Sequence, residues 1–167
     1  MSGARRTVLV VEDGTEYTDA FRSLGASDSS ESLELLRAGD GAEARRILAE
    51  QRVDALFLDV VFDRTPPDRL LGDLEDVIRR FGGDRRRADR HLAENQGFYL
   101  VSDLAPLLPA SAPIVLAYDF SLEPERLAAL RRTAARLSGV ADGTPISEVL
   151  ENLRRELTTG DTRDGPP

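Results

Sequence analysis

The 167-residue chain contains no cysteine, which excludes disulfides, thiolate metal sites and cysteine nucleophiles. It contains no lysine either: all 22 basic residues are arginine, so Schiff-base chemistry and a P-loop lysine are ruled out. A lone histidine, His91, excludes any site that needs two. Tryptophan is absent and aromatic residues make up only 5%; with a formal charge of −8, this argues against a nucleic-acid-binding surface. Long apolar runs are missing as well. Arg5-Arg6 precede only the short run Thr7–Val11 before Glu12 and Asp13, well short of the roughly 7–15 apolar residues of a secretory signal. No stretch approaches the ~20 residues of a membrane span. The absences together point to a cytoplasmic protein that engages neither membrane nor nucleic acid.

What is present is the composition of one folded domain. Hydrophobic residues at 41% and charged residues at 31% exclude disorder, and the length suffices to bury a core. Thr7-Val8-Leu9-Val10-Val11 and Ala55-Leu56-Phe57-Leu58 are continuous apolar runs, the pattern of strands covered on both faces of a parallel sheet. Pro113–Tyr118 reads as a third such strand, and Leu33–Leu36 and Ser138–Gly143 as weaker ones. Between them the spacing predicts helices over Thr15–Leu24, Gly41–Gln51, Glu123–Leu137 and Pro145–Leu157. Gly25–Ser32 reads as a polar loop and 158–167 as a disordered tail. The alternation favours an α/β fold with a parallel sheet.

One segment breaks the rhythm. Between Val61 and Gln96 the sequence carries the stripe Leu70, Leu71, Leu74, Val77, Ile78 and Phe81, then Gly82-Gly83, then a second helix capped by Asp84 and running through Ala88 and Leu92. This predicts a helical hairpin, residues 61–96, inserted into a domain spanning 1–157. The face formed by Leu70, Leu74, Val77, Ile78 and Phe81 either packs on its own hairpin or meets a partner, including a second copy of the chain. Arg85-Arg86-Arg87 with Arg90 reads as a solvated face, and His91 as an exposed or capping residue.

In a parallel sheet the chemistry gathers at the carboxyl ends of the strands. Glu12-Asp13 follow the first strong strand and Asp59 the second, so three carboxylates converge on one edge. Such a cluster suits a hard cation such as Mg²⁺, beside which a carboxylate can attack a phosphoryl group. In Val8-Leu9-Val10-Val11-Glu12-Asp13 and Asp54–Val60, with Ala38–Ala44, Gly97 and Pro113-Ile114-Val115-Leu116 in support, the chain resembles a response-regulator receiver domain.

The resemblance implies a doubly wound, five-stranded parallel sheet of flavodoxin-like receiver topology, Asp59 as phosphoacceptor, and Mg²⁺ held by Asp13, by Asp59 and by the backbone carbonyl of Val61, with Glu12 in support. It implies a sensor histidine kinase or phosphotransfer protein upstream and an unidentified protein downstream, reached by contact without an output domain of its own; it implies no enzyme. Two switch positions depart from the family. A lysine-proline pair is replaced by Thr144-Pro145, and a small hydroxyl by Tyr118, or by Ala117 if the register shifts by one. The separation of Asp59 from Gly97 also far exceeds the usual βα loop of about 2–6 residues. The loss of the lysine makes Arg64 or Arg69, soon after Asp59, the candidate phosphate partner. Two alternatives stand beside this reading. One is a phosphorylation-independent pseudo-receiver acting as a binding scaffold. The other is an aspartate-nucleophile phosphatase, which Asp59 and Asp63 match poorly, the second Asp lying four residues after the first.

Overall fold

The computed structural model describes residues 5–25 and 33–161. Five strands, β1 (Arg6–Val11), β2 (Leu33–Ala38), β3 (Ala55–Leu58), β4 (Ile114–Leu116) and β5 (Leu137–Gly139), form one parallel sheet in the order β2-β1-β3-β4-β5. This is the flavodoxin-like order. Val8 to Val11 and Ala55 to Leu58 are fully buried, as expected of central strands covered on both sides.

Alternation along these strands feeds two cores. On one face Val8, Val10, Ala55, Phe57 and Val115 pack against Phe21 of α1 (Glu16–Gly25) and against Val149, Leu150 and Leu153 of α7 (Ile146–Asp161). On the other, Leu9, Val11, Leu56, Leu58, Ile114 and Leu116 meet Ala44 and Ile47 of α2 (Gly41–Glu50) and Leu100 and Leu104 of α5 (Gln96–Leu104). Asp40 caps α2 by accepting a bond from Glu43 N–H at 2.9 Å.

Two helix ends differ from expectation, and β5 is Leu137–Gly139 where 138–143 is expected. The helix expected over Glu123–Leu137 ends early, as α6 (Pro124–Leu130), because Leu137 is needed in β5 opposite Ile114; the Arg131 Nε–H donates to the Leu137 carbonyl at 2.9 Å and braces the turn. Sheet pairing overrides local helix propensity here. The last helix runs past Leu157 to Asp161, into the expected tail; 162–167 lie outside the described residues, as does most of the expected loop 25–32.

Between β3 and α5, Pro67–Arg69 forms a 3₁₀ turn, followed by α3 (Leu74–Arg80) and α4 (Arg85–Glu94). The first helix starts later than the apolar stripe, since two prolines hold the chain out of α geometry and Gly72 takes a φ of +122°. A Cβ at Gly72 would also stand 2.6 Å from Leu92 Cδ2. Asp73 and Asp84 cap α3 and α4 through bonds from Asp76 N–H and Arg87 N–H. Val77, Ala88 and Leu92 form a small core of their own, with Leu70, Leu74, Ile78, Phe81 and Tyr99 half-buried around it. The stripe is therefore occupied by its own helical pair and is not an open apolar face; Leu70 and Leu71 also lean on the sheet's core. His91 is half-buried, its ring 5.4 Å from that of Phe81, rather than free in solvent.

Candidate functional site

The sheet brings the three carboxylates to one edge, but in different states. The Asp59 backbone N–H donates to the Val11 carbonyl at 2.9 Å, so the exits of β1 and β3 lie side by side. Glu12, only 1% exposed, is fully engaged. Its Oε2 accepts from Tyr17 N–H at 3.0 Å; its Oε1 accepts from Thr18 N–H at 2.8 Å and the Thr18 hydroxyl at 2.7 Å. It thus satisfies first-turn donors of α1 and sits where the helix dipole favours an anion.

Asp59 is less well served. Its Oδ1 accepts from Val60 N–H at 2.8 Å, and the Val61 backbone also favours the carboxylate. Burial outweighs these bonds, and the negative charges of Asp13 and Glu12 add to it, so the carboxyl is pushed up from 3.8 to about 6. Asp13 is half-buried and its Oδ2 accepts from Arg64 N–H at 2.7 Å. The Val61 side chain is exposed, while Phe62 beside it is fully buried and its N–H donates to the Ala93 carbonyl at 2.8 Å. The helical pair thereby fixes the loop that leaves Asp59.

Gly97 closes the floor. Its N–H donates to the Val60 carbonyl at 3.0 Å, and a Cβ there would stand 2.5 Å from the Asp59 carbonyl oxygen and 2.7 Å from Val60 Cα. Only glycine lets α5 approach the backbone this closely.

Tyr118 and Thr144 are engaged with their own neighbours. The Tyr118 hydroxyl donates to Glu123, and its ring meets Phe98 and Phe120 edge-on at centroid distances of 5.0 and 4.9 Å. The Arg126 guanidinium lies 3.5 Å above the Phe98 ring. The Thr144 hydroxyl donates to the Ala141 carbonyl at 2.7 Å within the turn after β5. Of the two arginines, Arg69 pairs with Asp40 at 3.5 Å, whereas Arg64 bonds Asp13 Oδ2 through its backbone N–H at 2.7 Å and pairs its guanidinium with Glu16 at 2.5 Å.

Sequence reasoning missed three contributors. Arg37, at the end of β2, donates from Nε to the Gly14 carbonyl at 2.5 Å and from Nη2 to the Glu12 carbonyl at 3.2 Å, bracing the loop that carries Asp13. Tyr17 is held near enough that burial and the charges of Asp59 and Glu12 push its phenol up. Thr18 is fully buried as the partner of Glu12. An acidic residue just ahead of a helix start was the available signal for Tyr17 and Thr18; Arg37 left none.

Among the described residues no three acidic or histidine side chains form a ready metal cage. This still fits Mg²⁺, which is usually bound through one or two carboxylates and keeps several waters. Asp13 and Asp59 retain lone pairs for such an ion; Glu12 contributes charge, its oxygens being engaged by α1. No helix among the described residues is long and apolar enough to cross a membrane.

No protein-family model matches the chain, and no curated protein matches its sequence. Solved structures do match. A CheY-like response-regulator receiver domain protein from Methanospirillum hungatei JF-1 is 12% identical with a TM-score of 0.60, covering 96% of this chain and 99% of that one. The signal receiver domain of an HD domain-containing protein from Pseudomonas fluorescens Pf-5 is 16% identical, TM-score 0.62, covering 98% and 94%. The receiver domain of NtrX from Brucella abortus is 18% identical, TM-score 0.57, covering 91% and 98%. With the strand order, the acidic edge and Gly97 already in place, the chain has the flavodoxin-like fold of response-regulator receiver domains.

Proposed function

We propose that the chain is a two-component receiver in which Asp59 accepts a phosphoryl group from the phosphohistidine of a sensor kinase or phosphotransfer protein. Asp13, Asp59 and the Val61 carbonyl hold Mg²⁺, and Glu12 holds α1 and the acidic loop in place. The observation that carries this is Asp59 itself: a carboxylate at the end of a central strand, kept short of donors and beside two other negative charges. Such a group gains from a cation, and a bound Mg²⁺ would supply charge neutralisation there. In the transfer, an Asp59 oxygen forms the new O–P bond as the N–P bond of the donor breaks, its electron pair returning to the imidazole. The helices of 61–96, read as an insertion over the site, are the surface through which the state of Asp59 is sensed by another protein.

A binding-only scaffold is the second reading. It is favoured by Tyr118 and Thr144, whose hydroxyls are engaged with Glu123 and Ala141. Titration with Mg²⁺ and beryllofluoride, an acyl-phosphate mimic, separates the two. The receiver reading expects amide shifts at Asp13 and Asp59–Val61, lost in Asp59→Asn; no binding leaves the scaffold. Because the ligand is the carboxylate, Mg²⁺ affinity should fall as pH drops through about 6.

A further inference from the structure

We infer that Arg64 is the cation that receives a phosphoryl oxygen on Asp59, and that Glu16 holds it aside while Asp59 is free; this rests on the receiver reading above. A phosphoryl group brings further negative charge to an edge that already carries Glu12, Asp13 and Asp59, the exits of β1 and β3 lying side by side. One divalent ion does not offset all of it, and the chain has no lysine to help.

Among the described residues, Arg37, Arg64 and Arg69 stand near the exits of β1, β2 and β3, each with its own partner. Arg37 spends its guanidinium on the carbonyls of Gly14 and Glu12, and Arg69 pairs with Asp40. Arg64 is placed at the acidic loop, and the ion pair that holds its guanidinium is exposed on both sides. Its backbone is fixed by the bond from its N–H to Asp13 Oδ2, and two residues earlier the buried Phe62 anchors the same loop to α4. Its guanidinium rests against the backbone of Gly14, where an added Cβ would collide with both Arg64 and Glu16. There Nη2 pairs with Glu16 Oε1 at 2.5 Å, the two side chains being 59% and 62% exposed. An ion pair this exposed is weak, whereas a guanidinium donates two parallel bonds to a phosphate-like oxygen pair. Exchanging one partner for the other is therefore favourable once the phosphoryl group arrives. Glu16 does not lose its footing, because its Oε2 still accepts from Thr15 N–H at 2.9 Å.

The test compares wild type, Arg64→Ala, Arg64→Lys and Glu16→Gln by Mg²⁺ titration alone and by beryllofluoride titration in saturating Mg²⁺, read from amide shifts. Arg64→Ala should weaken beryllofluoride binding by roughly 10–100-fold without weakening Mg²⁺ binding. Arg64→Lys should recover part of the loss, and Glu16→Gln should bind the mimic at least as tightly as wild type. Wild-type beryllofluoride affinity in Arg64→Ala would overturn the role of Arg64 and leave the receiver reading standing. Failure of the wild-type protein to bind beryllofluoride would overturn both.

Discussion

The exits of β1 and β3 carry carboxylates a hydrogen-bonded strand apart, and the protein treats them in opposite ways. Glu12 is almost completely buried, yet three donors from α1 meet it. Asp59 is half-buried and is met by the backbone of its own loop alone among the donors described, and burial pushes it up to about 6. The cost of a buried charge is thus set by the donors that surround it as much as by its depth. Where donors from a helix start are supplied, the carboxylate builds the fold; where only its own loop backbone donates, burial penalises the charge. Substitutions at the two exits should then have opposite signs.

The largest effect belongs to β1. Glu12→Ala strands the Tyr17 and Thr18 amides and a buried hydroxyl, and should cost about 4 kcal/mol in urea unfolding. Glu12→Gln, which keeps an acceptor, should recover part of this. A near-neutral Glu12→Ala would mean that the acidic residue is not what anchors α1, and the contrast between the two exits would fail.

The β3 exit leans on a weaker support. The small core of Val77, Ala88 and Leu92 stands beneath the Phe62–Ala93 bond that holds the loop after Asp59. Leu92→Ala should destabilise this unit by about 3 kcal/mol, and hydrogen exchange should speed up in 67–94 and at Phe62 while the β1 amides stay protected. Uniform loss of protection would show that the helical pair and the sheet unfold as one, and that the loop is not separately supported.

The contrast also marks where sequence reading works. The central strands of the sheet were legible because such parallel strands must be apolar on both faces, and the placement of Glu12, Asp13 and Asp59 at the adjoining exits of β1 and β3 followed from their positions at strand ends. The stripe from Leu70 to Phe81 was legible as apolar but not as spent, since periodicity does not say which face a helix meets. The division of labour between Glu12 and Asp59 was not legible, because it depends on whether amides from another element reach each carboxylate. Nor was Arg37, whose carbonyl partners lie 23 and 25 residues away. Nor were the partners of Arg64 and Arg69, Glu16 for the one and the helix cap Asp40 for the other.

The smallest effect has the opposite sign. The folded-state carboxyl of Asp59 lies above its ordinary value of 3.8, so between pH 4 and about 6 the folded protein keeps a proton that the unfolded chain has released. Stability from this group is therefore fully present below pH 4 and falls as pH rises through about 6. Above that the ionised Asp59 costs about 1–2 kcal/mol, the shift being discounted for solvent screening at a half-buried site. Asp59→Asn keeps an acceptor for Val60 N–H and removes the charge, so it should raise Tm at pH 8 by roughly 2–6 °C, by less at pH 5, and not at all below pH 4. Saturating Mg²⁺ should narrow the difference at pH 8, because the ion relieves in the wild type the same repulsion that the substitution removes. A gain that is equal at every pH would place its origin in packing and would remove the charge argument from Asp59.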